Sequence, residues 1–229
     1  MGKDYRYIIM AGGTFPKFTE TPRQLLRFRS EPLVVRTIRM LRQLEIEDIA
    51  ISSNDPRFEG LGVPVLHHEN GYKSWDYNVC EGTWCDAFYP TDEPACYLHG
   101  DVVFSPEAIR TIVEADTDDI IFFGSAPPFP PNYPKLWIEP FGWKVRNQKH
   151  LCQAVEDVKR LEREGRFNRR PISWEVWNVI SRGPDGDPNP IDYSSYVHIN
   201  DWTTDIDKPE EIGLLELLSS MEYGGVFVK

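Results

Sequence analysis

The sequence is poor in cysteine, in long apolar runs and in positive charge. Its four cysteines, Cys80, Cys85, Cys96 and Cys152, form no C-x-x-C pair and have no histidine at zinc-binding spacing. That excludes a disulfide scaffold and points to free thiols in a reducing compartment. The longest apolar stretches, residues 8–11 and 120–123, fall far below the roughly 20 residues that span a bilayer. The opening Met1-Gly2-Lys3-Asp4-Tyr5-Arg6 contains an acid, has no apolar leader core and puts Arg6 where a myristoylation signal carries Ser or Thr. The expectation is a cytoplasmic protein with no membrane partner. Lys+Arg total 25 against 36 for Asp+Glu, a formal net charge of -11. A field of that sign repels polyanions and excludes a general nucleic-acid binder, but it leaves room for a small anionic ligand held by a local cationic cluster. Neither G-x-G-x-x-G nor G-x-x-x-x-G-K-[ST] is present, which argues against a dinucleotide site and a P-loop.

What is present suits one α/β domain. With 229 residues, 41% hydrophobic and 27% charged, the chain can bury a real core and is too apolar for wholesale disorder. Strand and helix signals alternate: a strand at 7–10 runs into Ala11-Gly12-Gly13, and Leu33, Val34, Thr37, Ile38, Leu41 and Leu44 recur at helical spacing behind Ser30, a candidate cap. Further strands are expected at 48–52, 63–66, 95–98 and 120–124, with a helix over 106–115, the alternation of a mostly parallel sheet. Five prolines within 126–135 predict a stiff surface excursion. Beyond it, 136–147 suits a hairpin, 151–164 a helix, 196–199 a strand and 210–218 a closing helix.

Three segments carry the chemistry-bearing residue types. In the loop from Ala11 to Arg23, Gly12 and Gly13 let backbone N–H groups approach a phosphate while Lys17 and Arg23 offset its charge; an ordinary strand-helix turn reads the same way. Asp101, in His99-Gly100-Asp101-Val102 at the carboxyl end of an apolar strand, sits where open α/β sheets gather ligands and can hold a hard cation or merely cap the following turn. Asp205 and Asp207 alternate across Ile206, so an extended segment puts both on one face; either can join Asp101 in a two-carboxylate metal site, or both can cap the helix after Pro209.

Together these segments resemble the nucleotidyltransferases of the GT-A-like fold, the MobA-like and sugar-phosphate superfamily, and within it the small-molecule phosphate cytidylyltransferases. Ile8-Ile9-Met10-Ala11-Gly12-Gly13 is similar to the family's first strand and glycine signature, Thr21-Pro22-Arg23-Gln24-Leu25 to its Pro-Lys-x-Leu element, and Glu31-Pro32-Leu33-Val34-Val35-Arg36-Thr37 to its Gly-x-Pro-Leu stretch. Gly100-Asp101-Val102 resembles its Gly-Asp metal element and Asp205-Ile206-Asp207-Lys208-Pro209-Glu210-Glu211 its closing Asp-x-Asp-x-Pro-Glu-Asp pattern. Arg23 stands where the family has Lys, and the first loop lacks the Gly-x-Gly-[Ser/Thr]-Arg form, with Lys17 available to supply the missing charge.

The resemblance implies a three-layer α/β/α Rossmann-like fold with a mostly parallel sheet and a hairpin-and-helix insertion in the second half, about 126–195, for the acceptor. It implies a Mg²⁺-dependent transfer of a nucleotide, CMP from CTP by the closest resemblance, to a small phosphorylated acceptor with release of pyrophosphate. Ala11, Gly12, Gly13, Lys17, Arg23 and Gly100 would hold the nucleotide phosphates, and Asp101 and Asp207 the Mg²⁺, Asp205 being the second choice. Ser53, and Asn78 and Thr83 in a stretch similar to the pyrimidine pocket of phosphocholine-type cytidylyltransferases, would read the base, unless they are buried structural polar residues. Arg169, Arg170, Trp174 and Glu175 combine cations, an aromatic wall and an acid suited to the acceptor, or form an exposed loop before a helix. A sugar-phosphate nucleotidyltransferase using UTP, GTP or dTTP, and a nucleotide-binding sensor without chemistry, are the alternatives.

Overall fold

The apolar run after Arg6 is an interior strand of the sheet in the computed structural model, which describes residues 4–11, 21–67, 88–129, 133–167, 171, 173–185, 193 and 195–224, the last four by backbone alone. Its strands are β1 (Arg6–Met10), β2 (Arg27–Phe28), β3 (Glu31–Pro32), β4 (Ile49–Ser52), β5 (Val65–Leu66), β6 (Ala95–His99), β7 (Val102–Val103), β8 (Ile120–Gly124), β9 (Pro140–Val145), β10 (Tyr196–His198) and β11 (Thr204–Asp205). Its helices are α1 (Leu33–Gln43), α2 (Pro106–Glu114), α3 (Gln148–Arg163), α4 (Ser173–Arg182) and α5 (Glu211–Gly224).

The main sheet has the order β10-β8-β9-β6-β1-β4-β5. The β10/β8, β6/β1, β1/β4 and β4/β5 pairs are parallel, and only β9 runs against its two neighbours. Side chains alternate across a strand, and here each face is covered. Tyr7 and Ile9 enter one core with Val34, Ile38 and Leu41 of α1 and Ile109 and Ile112 of α2. Ile8 and Met10 enter the opposite core with Leu151, Val155 and Val158 of α3 and Val176 and Trp177 of α4. The result is the three-layer α/β/α architecture, with a mostly parallel sheet, that the sequence predicts.

Several details differ from expectation. Residues 136–147 contain one strand, β9, and not a hairpin, and β9 is paired on both sides, by β6 and β8. Near its start the register with β8 shifts by one residue, and across that bulge the alternation inverts: Phe141 faces the first core, Trp143 the second. The proline-rich stretch is not purely a surface excursion, since Ala126, Tyr133 and Lys135 are buried. Helix α1 is entered from Pro32 without a side-chain cap, and Ser30 instead occupies a positive-φ turn. Asn147 caps α3, its side chain accepting from the His150 N–H, which moves that helix three residues earlier than its apolar periodicity alone suggests. No helix among the described residues is long and apolar enough to cross a membrane.

Candidate active site

The parallel strands β1 and β6 end side by side, Met10 opposite His99. The chain leaves β1 as Ala11 and leaves β6 as Gly100-Asp101, so the stem of the glycine loop and the first acid arise at the same sheet edge. Gly100 fits because it has no Cβ: one would lie 2.7 Å from the Met10 carbonyl oxygen and 2.9 Å from Gln24 Cγ. Its N–H donates to that carbonyl at 3.0 Å, locking the two strand ends together.

The distant acids arrive through a two-residue ladder. Strand β11 pairs antiparallel with β7, Asp205 opposite Val102, and the Ile206 N–H continues the ladder to the Asp101 carbonyl at 2.9 Å. Under it Phe28, Leu33, Val103, Trp202, Ile206 and Leu215 form a separate small core that fixes the ladder to β2 and α5. Beyond Ile206, the Asp207 N–H donates to Glu211 Oε2 at 2.8 Å, which ties this segment to the first residue of α5. The Asp205 and Asp207 carboxylates themselves meet cations, Lys135 for both and Arg23 for Asp207.

Arg23 lies between the two acids. Its Nη2 is 3.0 Å from Asp101 Oδ2, while Nη1 is 3.4 Å from Asp207 Oδ1 and donates to the Ile206 carbonyl at 3.0 Å. The Asp101 carboxylate drives the guanidinium pKa up, against the pull of burial.

A second cation, absent from the sequence-based list, completes the cluster. Lys135, with a side chain only 5% exposed, reaches Glu139 Oε1 at 3.0 Å, Asp207 Oδ2 at 2.8 Å and Asp205 Oδ1. One carboxylate oxygen from each of Glu139, Asp205 and Asp207 lies within 4.8 Å of the others, a spacing that can hold a metal ion. Glu139 is aimed by its backbone N–H, which donates to Ser125 Oγ at 2.9 Å, and by Trp137, whose indole N–H donates to Oε1. Burial lowers the Lys135 pKa, but Asp205 and Glu139 raise it more, so the net shift is upward. Burial likewise pushes the Glu139 and Asp205 carboxyls up, strongly for Asp205, with neighbouring carboxylates adding and Lys135 opposing.

Among the described residues four carboxylates thus face two cations, a set with room for a further positive charge. A hard, oxygen-only donor set on one open side, with Asp207 still 43% exposed, fits Mg²⁺, which takes one or two carboxylates and fills its shell with phosphate oxygens and water. His99 contributes no charge at neutral pH: burial pulls its imidazole down to about 4, with Asp101 opposing and Arg23 adding.

Other expected site residues have different surroundings. Ser53 is buried; its hydroxyl donates to the Ala11 carbonyl at 3.0 Å and accepts from the Asp55 N–H at 3.1 Å, so it braces the glycine-loop stem. Trp174 and Glu175 lie on α4, where Trp174 packs edge-on against Phe122 of β8 at 5.2 Å and Glu175 is buried. Gly12, Gly13, Lys17, Asn78, Thr83, Arg169 and Arg170 lie outside the described residues. Lys135 and Glu139 were missed because they sit in and just after the proline-rich stretch, where no periodicity reports direction. The only signal is a Lys and a Glu bracketing Leu136-Trp137-Ile138 before an apolar strand.

Solved structures with this fold include three bacterial proteins. A candidate glucose-1-phosphate thymidylyltransferase from Bacillus anthracis is 17% identical, with a TM-score of 0.56 over 94% of this chain and 95% of its own. The inositol-1-phosphate CTP transferase from T. maritima is 16% identical, with a TM-score of 0.54 over 94% and 97%. A homologue of a Mycobacterium tuberculosis protein, from Mycobacterium sp. strain JC1, is 17% identical, with a TM-score of 0.55 over 94% and 96%. None of the curated protein sequences matches significantly. Residues 7–169, which contain the glycine loop, Arg23, Asp101, Lys135 and Glu139, match the MobA-like NTP transferase domain. With the strand-end carboxylates in place, the chain belongs to that family and is a nucleotidyltransferase.

Proposed function

We propose that this nucleotidyltransferase is a cytidylyltransferase, moving CMP from CTP to a small phosphorylated acceptor and releasing pyrophosphate. The reading is carried by the meeting of Asp101, Asp207 and Arg23 beside the stem of the glycine loop. An acceptor phosphate oxygen attacks the α-phosphorus in line; a new P–O bond forms as the bond to the α,β-bridging oxygen breaks, and its electron pair leaves with pyrophosphate. The attacking group is already an anion, so no protein nucleophile or strong base is needed, and alignment and charge neutralisation carry the catalysis.

Asp101 and Asp207, the latter 43% exposed, would hold Mg²⁺, and Asp205, only 17% exposed, is the second choice. The ion's contribution when bound is to neutralise charge on the phosphate oxygens. Lys17 and Arg23 offset the charge that develops on the leaving pyrophosphate, with Gly12 and Gly13 letting backbone approach the phosphates, while Ala11 and Gly100, whose N–H groups are bound to the Ser52 and Met10 carbonyls, fix the strand ends from which that loop and Asp101 spring. Ser53 acts by fixing the Ala11 carbonyl; Asn78 and Thr83 read the base; Arg169, Arg170, Trp174 and Glu175 belong to the acceptor side.

The test is a pyrophosphate-release screen of CTP, UTP, GTP and dTTP with Mg²⁺ against a panel of phosphorylated metabolites. Turnover with CTP and one acceptor is expected. Turnover with dTTP, UTP or GTP and a sugar phosphate moves the base assignment to the second reading, which the likeness to the Bacillus anthracis protein favours. No pyrophosphate from any pair contradicts the proposal.

A further inference from the structure

Lys135 occupies the place a cation would take. Its ammonium is enclosed, bound to one oxygen each of Glu139, Asp205 and Asp207, three residues that each bring a carboxylate oxygen within 4.8 Å of the others'. A buried lysine is retained at such a place only when fixed carboxylates replace its lost hydration. The reverse also holds, because three carboxylates at that spacing repel unless a cation sits among them.

The lysine is held from several sides. Tyr133, two residues earlier, donates to the Trp137 carbonyl at 3.2 Å and shares a 2.5 Å hydrogen bond with Ser125 Oγ, the same hydroxyl that accepts the Glu139 N–H. The Trp137 ring lies 5.6 Å from Nζ. Tyr196, across the sheet on β10, donates to the Ser125 carbonyl at 2.9 Å. The ammonium is thus seated by the fold and not by a loose surface contact.

Asp207 is the shared member. Lys135 holds its Oδ2, and Oδ1 faces Arg23, whose other nitrogen meets Asp101. We propose that Lys135 is a positioning residue: a built-in cation that fills the inner triad of Glu139, Asp205 and Asp207 and keeps divalent ions out of the space among them. The proposal rests on the metal assignment made above. It follows from charge and space, since an ammonium and a divalent ion cannot share oxygens this close without strong repulsion.

The test is Mn²⁺ binding to the nucleotide-free protein, followed by electron paramagnetic resonance and by melting temperature, in wild type, Lys135→Met and Lys135→Arg. Removing the charge opens the triad, so Lys135→Met should bind one more Mn²⁺, or bind it on the order of tenfold tighter or more. Its melting temperature should also rise more steeply with Mn²⁺ than that of wild type, because the ion replaces the lost cation. Lys135→Arg keeps the charge and should reproduce the wild-type isotherm. A folded Lys135→Met with the wild-type isotherm overturns the proposal, as does one that stays unfolded at saturating Mn²⁺. No nucleotide enters these titrations, so their failure is separate from failure of the pyrophosphate screen on wild type.

Discussion

Replacing Gly100 by Ala tests the junction on which the site is built. The backbone φ there is one that any residue adopts, so the cost is steric and not conformational. The new Cβ would lie 2.7 Å from the Met10 carbonyl oxygen, where ordinary contact begins near 3.4 Å, so the strand ends must part by about 0.7 Å. That carbonyl also accepts the Gly100 N–H, and the next residue is Asp101. Overpacking of this kind costs roughly 1–3 kcal/mol, which in a chain this size lowers Tm by about 2–4 °C for each kcal/mol. Displacing a reacting group by a fraction of an ångström to an ångström costs on the order of 10²-fold in turnover. Gly142→Ala is the control: its Cβ would meet the Tyr97 carbonyl at 2.7 Å and Leu98 Cδ2 at 2.9 Å, within the sheet and not beside Asp101. Calorimetric melting and pyrophosphate release on both variants separate fold from site. Both should melt lower, and Gly100→Ala should lose more turnover than its melting accounts for. A wild-type Tm for Gly100→Ala, or a turnover equal to that of Gly142→Ala, refutes the reasoning.

Other outcomes follow from particular contacts. Arg23→Ala removes the group that bridges Asp101 and Asp207 and should weaken nucleotide binding about tenfold or more by titration calorimetry; an unchanged affinity takes Arg23 out of the site. Burial raises the Cys96 thiol to about 12 whereas Cys152 is exposed, so residue-resolved labelling at pH 8 should modify Cys152 and spare Cys96 until the chain unfolds. The Asp116 carboxyl is held down to about 2 by hydrogen bonds from the Tyr5 hydroxyl, then Arg146 and the Thr117 N–H. Its folded pKa lies below the unfolded one, so its stabilisation is present above about pH 4 and is lost as pH falls toward 2. Asp116→Asn should flatten the stability loss across that window in acid titration, and an unchanged slope contradicts it.

The parts of the fold legible in the sequence are those with a strong local pattern. Strands β1, β6 and β8 are apolar at nearly every position because both faces are covered, and α1 and α2 show the helical period because only one face is. Helix α4 was overshadowed by the charged run before it, although Val176, Trp177 and Val179 form its buried stripe. At the site, Asp101 was legible from its place at the end of an apolar strand and Asp205 and Asp207 from their alternation. Their meeting was expected from the resemblance alone, because the two-residue β7/β11 ladder that brings it about is too short to leave a periodic signal. Lys135 and Glu139 were hidden for a related reason: a buried charge is told from an exposed one by its partners, and two of Lys135's three lie some 70 residues away.

The most direct measurement is pyrophosphate release by wild type and Asp101→Asn, with the best nucleotide and acceptor pair and with melting temperatures recorded alongside. Asn preserves shape and removes the charge that faces Arg23. The account predicts a fold that persists and a rate lower by on the order of 10²-fold or more. Equal rates for the two proteins would contradict it.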